Sequence, residues 1–214
     1  MKNTEKKNAN NTTKESLTQA IYDDLLRRFM SNELVPGTII DRKTLADEYQ
    51  VSMAPLRDAL QRLTLEGFIE TRSRSATVVR AVQKEDIYGT LVMREALESQ
   101  AARLICGKIV QDNYAALLDS ASRVDTTESM TDYWQADVEF HCQLVSLSGC
   151  ELLIDTHKKV MNVGRFYQLN SYFMNCDPQK RESHCKLIDD LLTDDPDRAE
   201  HIMRHHVMAG KSSF

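Results

Sequence analysis

The chain has 214 residues and a formal net charge of −5, long enough to build two modest cores rather than one. No apolar run approaches the length that spans a bilayer, and the opening MKNTEKKNANNTTKES lacks the apolar segment of a secretory signal, so the chain is expected in the cytoplasm. Five cysteines (Cys106, Cys142, Cys150, Cys176 and Cys185) form no CxxC pair and are odd in number, which excludes a disulfide framework and suits reduced thiols.

With only 7 glycines and 4 prolines, and apolar residues recurring at three and four, the chain reads as mainly α-helical. Charge divides along it. Residues 1–80 carry 13 Lys and Arg against 11 Asp and Glu, hence +2, and the remainder carries 14 against 21, hence −7. The acidic part is a poor partner for nucleic acid.

Residues 1–15, rich in Asn, Lys and Thr, are expected to form a disordered tail. The first domain is expected over residues 16–82. Leu17, Ile21, Leu25 and Phe29 keep a four-residue step, so a helix is expected from Leu17 to Met30, ending at Pro36 and Gly37. A short second helix should start near Arg42. In VSMAPLRDALQRLTLEG, Ser52 is placed to cap a third helix and Pro55 falls in its first turn, with Leu56, Ala59, Leu60 and Leu63 inward and Gly67 as its end. Two short helices joined by YQVS form a helix-turn-helix pattern, the second entering the major groove. Alternation in FIETRSRSATVVRAV predicts strands at Phe68–Thr71 and Thr77–Arg80, a hairpin wing whose tip presents Arg72 and Arg74 to phosphates or the minor groove.

The run VPGTIIDRKTLADEYQVSMAPLRDALQRLTLEGFIETRSRSATVV resembles the winged-helix reader head of the GntR family of bacterial transcription regulators, with PG, LA and VS-x-x-PLR-x-AL-x-RL-x-x-EG in register. The resemblance implies that Lys43 and Arg57 contact DNA; Ser52, at the start of the same helix, and the wing arginines Arg72 and Arg74 are expected to join them. Where that family usually has arginine and threonine this chain has Met53 and Ala54, and where it commonly has wing glycines this chain has Arg74 and Ala76. A different operator preference is therefore expected.

Residues 83–214 read as an antiparallel bundle of six helices, at about 85–106, 111–123, 130–148, 150–173, 178–193 and 196–209. Polar residues fall on their apolar faces. In ADVEFHCQLV, Asp137 and His141 lie four apart among Trp134, Val138, Leu144 and Val145. His184 precedes Leu187, Ile188 and Leu191 at three, four and seven residues; His206 follows Ala199, Ile202 and Met203 at seven, four and three, whereas His201 and His205 lie off that arc. Arg94 sits among Ile87, Leu91, Leu97 and Ala101, and His157, between Leu153, Ile154, Val160 and Met161, reads as a core histidine. Unpaired charges in a core cost several kcal/mol, so these groups either neutralise one another or are joined by a divalent metal.

YGTLVMREALESQAARL, ADVEFHCQLV and ESHCKLIDDLLTDDPDRAEHIMRHHV resemble the FCD ligand-binding domain of the FadR branch of GntR regulators. In the metal-binding members an Asp and three His stand at the positions of Asp137, His141, His184 and His206. The resemblance implies zinc, or nickel or manganese, at those four residues, and a small organic or sugar acid as effector, gripped by Arg94. A homodimer on double-stranded operator DNA, with no membrane partner and no enzymatic activity, is the expected assembly. Two rival functions are a sensor of the metal itself and a metal-dependent hydrolase, the latter lacking a convincing general base.

Overall fold

The computed structural model describes residues 2–72, 76–170 and 182–209; of these, the side chains of residues 2–14, 130 and 131 are left aside. The chain divides into two compact units, Met1–Val82 and Gln83–Phe214. Helix α1 spans Lys2–Met30, so the polar opening expected to be a disordered tail is helical instead. Once a helix is nucleated, each added residue gains one hydrogen bond, so the turn that packs can extend outward through a polar sequence. The turns that pack are those carrying Ile21, Tyr22, Leu25 and Phe29, all buried.

In the first unit α1 lies against α3 (Met53–Leu65), which buries Leu56, Ala59, Leu60 and Leu63, and α2 (Arg42–Glu48) packs on α3 through Leu45 and Ala46. Asp41 caps α2 by accepting from the backbone N–H groups of Lys43 and Thr44, both at 2.8 Å. Gln50, with φ of 53°, reverses the chain between the two helices. Ser52 holds the N-cap position of α3 but makes no side-chain cap bond, so the expected cap is positional only.

Among the described residues three strands complete the unit: β1 (Ile39–Ile40), β2 (Ile69–Arg72) and β3 (Ala76–Val79), antiparallel in the order β1-β3-β2. The hairpin strands are each displaced by one residue from the expected ranges. β1 was not foreseen, because two residues carry no readable alternation. Phe29 stacks on Phe68 with ring centroids 5.5 Å apart, fastening α1 to the start of the hairpin.

The second unit holds α4 (Lys84–Ile105), α5 (Lys108–Asp112), α6 (Tyr114–Thr126), α7 (Met130–Ser146), α8 (Glu151–Asn170), α9 (His184–Asp190) and α10 (Pro196–Met208). α4 packs on α8 and α10, α7 on α6 and α8, and α9 on α6 and α10. The helix expected at 111–123 is divided at Asn113, whose backbone leaves the helical region and whose side-chain amide donates to the Ile109 carbonyl. The helix expected at 178–193 begins at His184, where Ser183 caps it by accepting from Lys186 N–H. The expected stretches 171–173 and 178–181 lie outside the described residues.

Asp195 caps α10 with Pro196 in its first turn, where a missing N–H costs nothing. Phe140, Leu144, Leu187, Ile188, Leu191, Met203 and Val207 form the centre of the core. Each fully buried side chain of that size contributes roughly 1.5–3 kcal/mol. Among the described residues no helix is long and apolar enough to cross a membrane.

Candidate metal centre and DNA-reading head

Three helices deliver three imidazoles to one point inside the second unit. His141 on α7, His184 at the start of α9 and His206 near the end of α10 are all buried, and one ligand atom from each lies within 4.8 Å of the others. Asp137, one turn before His141, adjoins two of the three rings, its Oδ1 lying 3.5 Å from His141 Nε2 and 3.3 Å from His184 Nε2. These donors, imidazole nitrogens and a carboxylate oxygen, are the set that zinc and other borderline divalent ions take. Their convergence from separate helices onto a space of ligand-sphere size fits such an ion.

The other edge of each ring faces a carboxylate. Glu98, fully buried on α4, brings Oε2 to 2.7 Å from His141 Nδ1, off the line a hydrogen bond requires. Asp125, in the last turn of α6, accepts from His184 Nδ1 at 2.9 Å and from the backbone N–H groups of His184 and Cys185. Glu182 stands 3.9 Å from His206 Nδ1 and 2.9 Å from His205 Nδ1. Of the three, Asp125 makes a hydrogen bond to its ring, which fixes the orientation and tautomer of His184 and turns its Nε2 toward Asp137.

Arg94 is buried between two acids: Nε donates to Glu98 Oε1 at 2.8 Å and Nη1 to Asp137 Oδ2 at 3.3 Å. Burial by itself pushes Asp137 up, but Arg94, His141 and His184 hold its carboxyl well below the usual range. Glu98 behaves alike: burial opposes its charge, and Arg94, His141 and His157 restore it. Burial lowers His184, and Asp125 and Asp137 more than reverse that, leaving it raised. His157 bonds Glu98 Oε1 at 3.0 Å and lies 3.9 Å from Cys142 Sγ, so it is a satisfied core histidine. Burial pushes the Cys142 thiol up to about 11, which leaves it an inert thiol.

His141, His184 and His206 are thus brought together, with Asp137 against two of them and Arg94 paired to Asp137. Sequence reasoning missed Glu98 and Asp125. Glu98 was within reach, because it follows Arg94 by four and shares its apolar face; Asp125 occupies a helix end, where an acid ordinarily meets water.

On the first unit Lys43 is exposed at the start of α2, Ser52 is exposed before α3, and the Arg57 side chain is 69% exposed with Asp58 as a loose partner at 3.6 Å. Arg72 ends β2 and donates to Glu70 at 2.8 Å. Arg74 lies outside the described residues. Met53 opens α3 and is half exposed, so the first residue of this helix presents a thioether to solvent.

Residues 17–79 match the family model described as bacterial regulatory proteins, gntR family, and residues 90–209, more than half of the chain, match the FCD domain. The Nta operon transcriptional regulator of Aminobacter aminovorans is 33% identical over 61% of this chain and 63% of its own length. The repressor RspR of Escherichia coli K12 is 23% identical over 90% of this chain and 86% of that protein. Among solved structures, the McbR/YncC protein of E. coli superposes with a TM-score of 0.66 at 20% identity, covering 90% of this chain and 93% of that one. A GntR regulator from Rhodococcus sp. RHA1 gives 0.67 at 20% identity, over 90% and 94%; at such identity the likeness is one of fold. A winged helix-turn-helix followed by a helical domain, both matching in order, makes this chain a member of the gntR family of bacterial regulatory proteins: a DNA-binding transcription regulator with an FCD domain, and not an enzyme.

Proposed function

We propose that the regulator's DNA binding is controlled by a small carboxylate, an organic or sugar acid, recognised at a divalent metal held by Asp137, His141, His184 and His206. The observation that carries this reading is the convergence of three histidine nitrogens within 4.8 Å of one another, with the Asp137 carboxylate on two of them. Zinc is the favoured ion from the donor set, with nickel or manganese as alternatives. When bound, it supplies Lewis acidity toward an incoming carboxylate.

The protein's own residues do the rest. Asp125 orients one of the rings, the Glu98 charge sits beside a second, and buried Arg94 supplies a guanidinium for the acid. Because Arg94 already donates to Asp137, the acid has to share or displace that bond. The assembly is read as a cytoplasmic homodimer of the FadR branch, with two reader heads on the half-sites of a pseudo-palindromic operator. For the acid to switch operator binding it must prefer one arrangement of the protein by a few kcal/mol.

Elemental analysis with native mass spectrometry of the purified protein tests the metal. One divalent ion per chain is expected, and its loss in His141→Ala with the rest of the protein folded. Protein that takes up no divalent ion on titration rejects the centre. Operator release is then followed while zinc and afterwards candidate acids are added; release by zinc alone identifies a metal sensor instead.

A further inference from the structure

A cleft of about 220 Å³ opens on the first unit between α3 and the sheet. Its floor includes Thr71 and Thr77, which face each other across the β2–β3 ladder. Arg57, Gln61 and Thr64 of α3 form one wall, and Arg42, the first residue of α2, reaches in from the other side. Thr77 Oγ1 accepts from Arg42 Nε at 3.1 Å and Nη2 at 2.7 Å, so the guanidinium is tied to the sheet. No carboxylate lines the cleft, and among the described residues no acid pairs with Arg42. Two cations have thus been set around a trough lined by three threonines together with Leu60 and Leu65, with Asp58 3.6 Å from Arg57.

We propose that this cleft is where the DNA backbone crosses the reader head, with Arg42 a phosphate contact on the sheet side and Arg57 one on the helix side. The inference rests on α3 entering the major groove and the hairpin reaching toward the neighbouring minor groove. The sugar-phosphate strand that separates those two grooves then has to pass between helix and hairpin. A guanidinium held by two bonds to Thr77 loses little further freedom when it meets a phosphate, and guanidinium geometry matches phosphate oxygens. Arg42 is thereby assigned to positioning the duplex, and carries no sequence information of its own.

The test is fluorescence anisotropy with a labelled mixed-sequence duplex, titrated with full-length protein between about 50 and 200 mM salt. Mixed sequence suffices because a phosphate contact is independent of bases. Arg42→Gln keeps a long polar side chain and removes the charge; it is expected to weaken binding and to flatten the slope of log K against log salt by about one per bound head. Thr77→Val removes the tether and keeps the charge, and its slope is expected to stay that of the wild type. An Arg42→Gln slope equal to wild type, whether affinity falls or not, overturns the proposal, since Arg42 then only braces the sheet. Wild type that fails to bind any duplex rejects the groove reading itself, a result separable from the first.

Discussion

Glu98 Oε2 and His141 Nδ1 lie 2.7 Å apart with both side chains at most 1% exposed. The charge of a buried carboxylate that close favours the proton on Nδ1 even off the hydrogen-bond line, and leaves Nε2 to ligate. Glu98→Gln keeps the volume and loses the charge. The expected outcome is a fall in zinc affinity of roughly 10–100-fold, measured by competition against a chromophoric chelator. Wild-type affinity in this variant removes Glu98 from the centre.

Removing the metal should destabilise the second unit, because only the folded state brings His141, His184 and His206 together. Saturating zinc at 100 times its dissociation constant stabilises by about 2.7 kcal/mol. Thermal unfolding with and without a strong chelator is expected to show a downward shift in the wild type. His141→Ala should show none, and an equal shift in that variant would place the ion elsewhere.

The two-unit fold was legible because its signals are local. The four-residue steps of Ile21, Leu25 and Phe29, and the Pro55 placement in α3, depend on residues a few positions apart. The inward direction of Asp137, His141, His184 and His206 was legible for the same reason, since periodicity reports which face a residue occupies. Their convergence is another matter. The meeting of His184 with Asp125, 59 residues earlier, is set by how α9 packs on α6, and no spacing encodes it. The Arg42 bond to Thr77 is equally non-local, spanning 35 residues. The break at Asn113 escaped notice because the apolar spacing continues across it.

Arg94 bridges Glu98 and Asp137 with a permanent charge, alongside the His141 ring that also lies between the two acids. Arg94→Met keeps the length but leaves two buried carboxylates without their guanidinium, a change that costs roughly 3–5 kcal/mol. Urea unfolding of the metal-free protein should therefore show a markedly lower midpoint at an unchanged slope. A midpoint within error of wild type would mean that the histidines alone neutralise the two acids.

Asp24 supplies a pH dependence in the reader head, away from the metal. Its Oδ2 accepts from Tyr49 Oη at 2.6 Å and from Arg28 Nε at 2.7 Å, while Oδ1 accepts from Arg27. Slight burial pushes Asp24 up, but the Tyr49 and Arg27 bonds and the Arg28 charge leave it lowered overall. A carboxyl lowered in the folded state binds its proton less readily there than in the unfolded chain. Its stabilisation is therefore complete above the unfolded value of about 3.9 and is lost as pH falls through the folded value. Asp24→Asn should be less stable than wild type at neutral pH, by a modest amount because the site is partly solvated. The difference is expected to shrink below about pH 4. Urea titrations of both proteins followed by circular dichroism across that range decide it, and a gap that holds constant into strong acid would show that Asp24 works through packing rather than charge.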